Sequence, residues 1–355
     1  MKAKSVSIKL FIIILSIILL FSSGCSTHTD INQEKTALPD DGSGEFLETV
    51  RVVTSIFPLT SLVEKIGGDM VDVTTLLGAG GSPHTYEPTV EQAKAVSGAD
   101  LIVFIGGGLD NWVMKLAEAS TSQKVMVLEI MDYMGEAALP YQADTDHDSC
   151  DHDNSDHDDC THDHDHSDHD NCAHGHDHHH HPDADDPHVW MDPILVKEIF
   201  APLLAEYLIY LKPDGKSYFL DNLQQFQAEL EELHQEIMTK VSRFDQKRFI
   251  SYHSAWKYFA HRYGLEEVAS VEEFPGKEPS AKWLVELVHL AELHNIKVLF
   301  AEPQLSSKAA KVIADEIGGH VYILDPLGGR GIPGRDCYLQ LMRYNAGIFE
   351  EALKK

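Results

Sequence analysis

The chain has 355 residues, 43% of them hydrophobic, and a formal net charge of −29 at pH 7. This length and hydrophobic content suit one large or two medium domains with real cores, which excludes a chain that is disordered throughout. Nucleic-acid binding is excluded too, because phosphate backbones select for an excess of Lys and Arg, whereas this chain has 28 Lys and Arg against 57 Asp and Glu.

The N-terminus predicts export and attachment to a membrane. Residues 1–24 contain three lysines and no acidic residue, and residues 10–21 form a twelve-residue apolar run. That run is shorter than the roughly 20 residues of a membrane span, but it suits the apolar core of a signal peptide. The residues after it resemble a bacterial lipobox, in which the cysteine, here Cys25, receives a diacylglycerol. Ser22 stands where that motif usually has Leu, so an ordinary secretory signal with an incidental cysteine is the alternative.

The next segments predict a flexible tether and then an α/β lobe. Residues 25–49 are rich in small and polar residues and predict the tether. From there to residue 212, short apolar runs at 51–57, 71–77, 101–105 and 124–130 alternate with helical patterns at 59–66, 89–96 and 110–119. Such alternation predicts a mostly parallel sheet flanked by helices, so we expect residues 50–212 to form an N-terminal lobe.

An Asp/His tract, residues 142–186, interrupts this lobe with sixteen Asp and no Glu, Lys or Arg. Between residues 150 and 181 the only aliphatic side chain is one alanine, so the tract has no core with which to fold alone. Imidazole is the commonest protein ligand for zinc and related metals, so the tract predicts an auxiliary loop that binds several ions weakly, without a fixed tetrahedral set. The alternative is that the tract is only a solvating acidic linker. The cysteines of the tract either bind metal or pair. The residues concerned are His147, His152, His157, His162, His164, His166, His169, His174, His176, His178, His179, His180 and His181, with Cys150, Cys160 and Cys172.

Residues 213–244 predict a long helix that links two lobes. Residues 216–244 contain no Gly or Pro, and at 1.5 Å per residue they would form a helix about 40 Å long. Its apolar residues recur at spacings of three or four, as on one face of an amphipathic helix. They are Leu220, Leu223, Phe226, Leu230, Leu233, Ile237 and Val241. A plain surface helix within one domain is the alternative.

Residues 245–355 repeat the α/β pattern and predict a second lobe. Apolar runs at 249–252, 268–271, 298–300 and 321–324 alternate with helices near 254–263, 280–293 and 306–317. The predicted fold class is therefore α/β, with two lobes that each contain a mostly parallel four-stranded sheet and are joined by a long rigid helix.

Four side chains that can bind metal lie after predicted strands or where the Asp/His tract ends. His84 follows a predicted strand and a glycine cluster, and His188 lies where the tract ends. His253 and Asp325 each close a predicted strand. Ligands of parallel α/β sheets collect beyond the carboxyl ends of the strands, and three His with one carboxylate suit Zn²⁺. For each histidine considered alone, a purely structural role is the alternative to metal binding. Glu302 follows another strand and either orients a ligand imidazole or has a structural role.

Together with the segments around these residues, the sequence resembles the solute-binding proteins, periplasmic or lipid-anchored, that feed zinc or manganese ABC importers. The resemblance covers roughly residues 50–355, with the motifs in the family's order. It rests on Thr54-Ser-Ile-Phe-Pro-Leu, Pro83-His-Thr-Tyr-Glu-Pro, Asp186-Pro-His-Val-Trp-Met-Asp-Pro, Tyr252-His-Ser-Ala-Trp-Lys-Tyr-Phe, Tyr263-Gly-Leu, Phe300-Ala-Glu-Pro-Gln and Leu324-Asp-Pro-Leu-Gly.

The resemblance implies which residues bind metal and which metal they bind. By it, His84, His188 and His253 fall on the family's ligand positions, and Asp325 falls on a position where members use either a carboxylate or water. Zinc-type members carry a His-rich loop where this chain has its tract, while manganese-type members generally lack one and tend to replace one His with a carboxylate.

The resemblance also implies the function. We expect a monomeric, extracytoplasmic Zn²⁺ receptor, lipid-anchored at Cys25, that delivers zinc to the membrane permease of an ABC importer. It would not be an enzyme. The alternatives are a manganese or iron receptor of the same type, a secreted zinc hydrolase, or a metal buffer that works through the tract. The hydrolase is disfavoured because no H-E-x-x-H motif occurs.

Overall fold

The structure is a computed structural model that describes residues 49–119, 125–140, 185–272, 276–305 and 308–354. The predicted signal peptide, Cys25, nearly all of the tether, and the Asp/His tract up to residue 184 lie outside these residues. The predictions for the histidines and cysteines of the tract therefore stay predictions. Within the described residues, no helix combines the length and the apolar character needed to cross a membrane.

The first lobe is built on a parallel four-stranded sheet in the order β2-β1-β3-β4. β1 pairs with both β2 and β3, and β4 extends the sheet beyond β3. Every side chain of β3 is buried, because helices cover both faces of a parallel sheet and its inner strands read as continuous apolar runs. The strands are β1 (Val50–Thr54), β2 (Val71–Thr75), β3 (Leu101–Phe104) and β4 (Met126–Glu129).

Helices connect these strands, and one more helical segment follows the Asp/His tract. A capping box explains where the second helix begins, since Thr89 N–H donates to Gln92 Oε1 over 2.6 Å. The helices are α1 (Phe57–Gly67), α2 (Val90–Ser97), α3 (Trp112–Ala119) and α4 (Ala201–Leu211). Short helical segments are Gly68–Met70, Pro83–Thr85, Met131–Tyr133, Gly135–Ala137, Val189–Met191, Pro193–Leu195 and the π-helical Val196–Phe200, which leads into α4. Our sequence analysis did not predict α4.

The predicted long helix is present as α5 (Lys216–Val241), 26 residues that follow the short turn Pro213–Gly215. It packs against α1 and α4 of the first lobe and against the C-terminal helix of the chain, so it links the two lobes. Its apolar stripe begins at Phe219, which is buried, whereas Leu220 is 42% exposed. The prediction of Leu220 on this stripe was wrong, because Phe219, seven residues before Phe226, continues the same face two turns earlier.

The second lobe repeats the same architecture, with the order β6-β5-β7-β8 and parallel pairing throughout. Ser280 caps one of its helices by accepting a hydrogen bond from Trp283 N–H. The strands are β5 (Arg248–Ser251), β6 (Glu266–Ser270), β7 (Val298–Ala301) and β8 (His320–Ile323). The helices are α6 (Lys257–Tyr263), α7 (Ala281–Leu293), α8 (Lys308–Ile317) and α9 (Tyr338–Leu353), of which α9 was not predicted.

Hydrogen bonds tie the two lobes together beside the site described below. Tyr338, at the start of α9, donates from its hydroxyl to the Trp190 carbonyl oxygen over 2.7 Å, and its N–H donates to Ser61 Oγ of α1 over 2.8 Å. Trp190 Nε1 donates to the Pro326 carbonyl oxygen over 2.8 Å. The predicted fold class is thus confirmed, while the predicted residue boundaries of the lobes stay predictions.

These links predict a small conformational change when metal binds. α5 braces both lobes, and the bonds of Trp190 and Tyr338 would break if the lobes opened widely. We expect small-angle X-ray scattering curves of the metal-free and zinc-loaded protein to superpose at the resolution of the lobes. A clear decrease in the radius of gyration on adding zinc would contradict this expectation.

Candidate metal centre

Three histidines from distant parts of the sequence meet between the lobes. His84 lies in the turn Pro83–Thr85 after β2, and His188 directly precedes the turn Val189–Met191. His253 lies two residues beyond the end of β5. Their ring centroids are 4.8–5.3 Å apart. Among the described residues, this is the one group of three or more His, Cys, Asp or Glu side chains placed to share a metal ion.

The spacing of the ring nitrogens suits a tetrahedral zinc ion. His84 Nε2 lies 3.3 Å from His188 Nε2 and 3.1 Å from His253 Nε2. Zinc binds imidazole nitrogen at about 2.0–2.1 Å, so two ligands of a regular tetrahedron lie about 3.3–3.4 Å apart. Both of these separations are therefore already near the one that a single ion would impose.

The cavity at these rings is small and shielded from solvent. His188 and His253 are 2% and 7% exposed, while His84 is half-buried. The space open to the centre of a water-sized sphere is about 20 Å³. By the same measure one water needs about 10–15 Å³, so the space beside the rings is large enough for an ion-sized or water-sized occupant.

A buried carboxylate orients His188. Asp186 Oδ1 accepts hydrogen bonds from His188 Nδ1 over 2.7 Å and from the His188 backbone N–H over 2.9 Å. With its proton held at Nδ1, the ring directs the lone pair of Nε2 into the cavity. Burial lowers the pKa of His188, and the charge and hydrogen bond of Asp186 offset this only in part. The ring is therefore held in the neutral form that binds metal.

Glu302, directly after β7, has the same relation to His253. Its Oε1 lies 3.2 Å from His253 Nδ1, which donates to it. Burial lowers the pKa of His253, but the charge and hydrogen bond of Glu302, with the charges of Glu272 and Glu267, more than offset it, so the pKa is raised. Of the two roles that the sequence leaves open for Glu302, the geometry favours orientation of a ligand imidazole.

The loop that carries His84 is held by both lobes. Trp112 Nε1 of α3 donates to the Pro83 carbonyl oxygen over 3.0 Å. From the other lobe, Gly276 approaches Thr85 with a positive φ of 80°, and a Cβ at Gly276 would lie 2.6 Å from Thr85 Cγ2. Glycine is therefore required there, both for its backbone conformation and for the close approach.

The structure does not bring Asp325 into the histidine group. Its Oδ1 accepts from Gln304 Nε2 over 2.9 Å and from the N–H groups of Leu327 and Gly328, and its Oδ2 pairs with Arg335 over 2.9 Å. The carboxylate thus holds the loop that follows β8, and would have to give up these bonds to reach a metal. Ligation by Asp325 stays a prediction that the observed geometry does not favour.

Two carboxylates that sequence analysis missed contribute to the site. Asp186 stands two residues before His188, a spacing at which an Asp side chain commonly bonds the backbone two residues on, and this signal was available in the sequence. Glu272 lines the cavity, and its Oε1 accepts from Gly276 N–H over 2.7 Å. Its position depends on the pairing of β6 with β5, which no local pattern reveals.

The carboxylates behind the imidazoles balance the charge of a divalent cation. A buried cation is costly unless opposite charges compensate for its lost hydration. Asp186 and Glu302 are 0% and 5% exposed, and each bonds a histidine on the side away from the cavity. One Zn²⁺ with these two carboxylates would have no net charge.

Comparisons with known proteins agree with this picture. A family described as ZnuA, zinc-uptake complex component A, periplasmic, matches residues 52–352. The high-affinity zinc uptake system protein ZnuA of Bacillus subtilis is 30% identical over 309 residues, which cover 86% of this chain and 88% of that protein. A crystal structure of a ZnuA deletion mutant with zinc bound is 30% identical, covers 86% of this chain and 99% of that one, and has a TM-score of 0.68.

A second relative is longer than this chain. The zinc-binding lipoprotein AdcA of Streptococcus pneumoniae is 29% identical over 323 residues, which cover 90% of this chain but 55% of AdcA. The chain thus spans about half the length of the AdcA proteins that it matches.

The raised pKa of His253 predicts which histidine first competes with metal for protons as the pH falls. Metal binds the neutral ring, so the group with the raised pKa begins to hold its proton at the higher pH, and His188, with its lowered pKa, follows only at lower pH. Glu302→Gln removes the main charge that raises the pKa of His253. We therefore expect the pH below which zinc affinity declines to shift downward in this variant.

The measurement is a chelator-competition titration between about pH 5 and 8, since unperturbed His titrates near pH 6.5. Affinity at the upper end should also be about 10–100-fold weaker, because the ring loses its orienting partner. The control is Glu286→Gln, on the exposed face of α7, which should change neither quantity. An unchanged pH profile in Glu302→Gln would refute the assignment of its role.

Proposed function

Because this chain belongs to the ZnuA family of periplasmic zinc-uptake components, we propose that it is an extracytoplasmic receptor that binds one Zn²⁺ and delivers it to an ABC-type membrane permease. The single observation that carries this proposal is the set of three converging histidines, two of them buried and one half-buried. The family consists of binding components of uptake systems and not of enzymes, so binding and release are the function.

The donor set favours zinc over manganese or iron. Three imidazoles at near-tetrahedral spacing suit Zn²⁺, whereas Mn²⁺ prefers carboxylate and water oxygens in an octahedral arrangement. The carboxylates near the site have other partners: Glu302 and Asp186 bond histidine Nδ1 atoms, Asp325 bonds Arg335 and its own loop, and Oε1 of Glu272 accepts from Gly276 N–H. A water molecule is the simplest fourth ligand, since three histidines leave one position of a four-coordinate zinc ion to fill.

We place the receptor outside the cytoplasm and attach it to the membrane through Cys25. The support is the lipobox-like sequence, the periplasmic description of the family, and the relative AdcA, which is named a lipoprotein. With residues 25–49 as a tether, the lobes would stay near the permease and act as a monomer.

The Asp/His tract is proposed to collect zinc near the cavity and not to hold the transported ion. Its ends are held at the site, since Pro140 and Asp185 form an antiparallel bridge. His188 follows three residues later. Ions bound along the tract would therefore be released close to the cavity, where preorganised ligands bind more tightly because less conformational entropy is lost.

Loss of one inner ligand should weaken zinc binding by orders of magnitude. His84→Ala is the cleanest variant, because His84 is half-buried, whereas His188 and His253 each satisfy a buried carboxylate. Zinc affinity is measured by competition with a chelator, and the melting temperature of the metal-free protein serves as the folding check. His261→Ala, on an exposed position of α6, is the matched control and should keep full affinity. Equal affinity in both variants would disprove the ligand assignment.

Removal of the tract should lower zinc stoichiometry to about one and leave the tight affinity unchanged. Residues 142–182 are replaced by a short Gly/Ser linker, which can close the gap because bridged residues of paired strands have Cα atoms about 5 Å apart. Isothermal calorimetry counts the ions and gives the constant of the tight site. If the tight site disappears with the tract, the tract is the receptor site and the proposed cavity is not.

Growth of zinc-starved cells separates a receptor from a metal buffer. A buffer that works through the tract would still function in the His84→Ala variant, which keeps all of the tract histidines. A receptor would fail in that variant and, with the tract deleted, would fail only when zinc is very scarce.

A further inference from the structure

The phenol of Tyr258 joins the two ends of the Asp/His tract. Tyr258, on α6, is 2% exposed. Its hydroxyl oxygen accepts from Leu139 N–H over 2.8 Å, and the hydroxyl donates to the Asp186 carbonyl oxygen over 3.0 Å. Asp186 N–H in turn donates to the Leu139 carbonyl oxygen over 2.7 Å. A single side chain of the second lobe thus bonds both Leu139, before the tract, and Asp186, at its end.

The residue held in this way is the one that orients His188. Both hydrogen bonds that Asp186 accepts from His188 end on Oδ1. The other carboxylate oxygen, Oδ2, is buried and has no hydrogen-bond partner among the described residues. The side chain of Asp186 therefore has no further anchor of its own, and its position depends on its backbone, which the Tyr258 and Leu139 bonds fix.

We propose that Tyr258 is a positioning residue for zinc binding, which acts through Asp186 to hold His188 in its metal-binding orientation. The inference rests on the proposed function, since it assigns a further residue to the same site. Tyr258 does not contact the metal. It couples the base of the tract to His188, so that loss of its hydroxyl frees the Asp186 backbone and lets the imidazole leave its preorganised geometry.

Tyr258→Phe keeps the buried ring and removes only the hydroxyl. The orienting partner of a metal ligand typically contributes 10–100-fold to affinity, and Tyr258 acts one step behind such a partner, so we expect zinc binding about 10-fold weaker in this variant, at the lower end of that range. The absorption spectrum of the Co²⁺-substituted protein should change as well, since it reports coordination geometry. The control is Tyr207→Phe, which removes a hydroxyl from a partly exposed hydrogen bond to Tyr133, 2.9 Å long, within the first lobe. It should alter neither affinity nor spectrum.

A double-mutant cycle distinguishes positioning from general destabilisation. If Tyr258 acts through Asp186, then Tyr258→Phe should weaken zinc binding in the wild-type background and cause no further loss in the Asp186→Ala background. Independent, multiplying losses in the two variants would overturn the proposal. So would an affinity and a Co²⁺ spectrum in Tyr258→Phe that match those of Tyr207→Phe.

Hydrogen exchange tests the same coupling in the unmodified protein. Linkage is reciprocal, so if the bonds of Tyr258 favour zinc binding, bound zinc must stabilise those bonds by the same factor. We expect zinc to slow exchange of the Leu139 amide more than that of the Asp100 amide, which bonds the Arg51 carbonyl oxygen at the opposite end of the first sheet. Equal slowing at both amides would contradict the proposal.

These outcomes can be separated from failure of the proposed function. If the wild-type protein binds no tight zinc ion, the receptor proposal fails. If wild type and Tyr207→Phe bind zinc tightly and Tyr258→Phe binds it equally tightly, only the role of Tyr258 is refuted.

Discussion

The organisation of the molecule depends on one electrostatic constraint: three imidazole nitrogens meet between the lobes, with His84 Nε2 3.3 Å from His188 Nε2 and 3.1 Å from His253 Nε2. With Nδ1 protons committed to carboxylates in two of the rings, the Nε2 lone pairs face each other and repel unless a cation lies between them. A proton on one of these nitrogens relieves one such contact. A divalent ion at tetrahedral distance relieves all of these contacts, so the metal-free geometry favours metal binding.

The three rings keep this spacing because hydrogen bonds from the surrounding structure hold each ring or the loop that carries it in place. The ligands come from three separate segments, and each is fixed by bonds to another part of the fold. Trp112 holds the His84 loop, Asp186 holds His188, and Glu302 holds His253. The bonds of Trp190 and Tyr338 then join the lobes next to the cavity. Because the geometry is prepared before metal arrives, little of the binding free energy is used to order the protein.

The cavity and the tract differ in how their imidazoles are arranged. The cavity has three converging imidazoles, while the sequence of the tract contains thirteen histidines, and among the described residues Pro140 and Asp185 form a bridge beside it. Tyr258 and Asp186 lie at the base of the tract. The segment that follows the tract reaches the cavity two residues after Asp186, at His188. A receptor of this kind is selective through geometry in the cavity, since raw donor affinity alone separates neighbouring transition metals poorly.

The sequence by itself determined the α/β alternation and the long helix, and it singled out the three histidines that meet between the lobes, because apolar periodicity, breaker residues and His-containing motifs are local signals. It did not reveal α4 or α9, it placed Leu220 on the wrong face, and it left the role of Glu302 open. Only the tertiary structure decided that Asp325 faces Arg335, that Glu302 lies behind His253, and that Tyr258 joins both ends of the tract. These contacts join residues up to 119 positions apart, and their existence depends on how the strands order in the sheets and how the lobes meet, which no short window of sequence encodes.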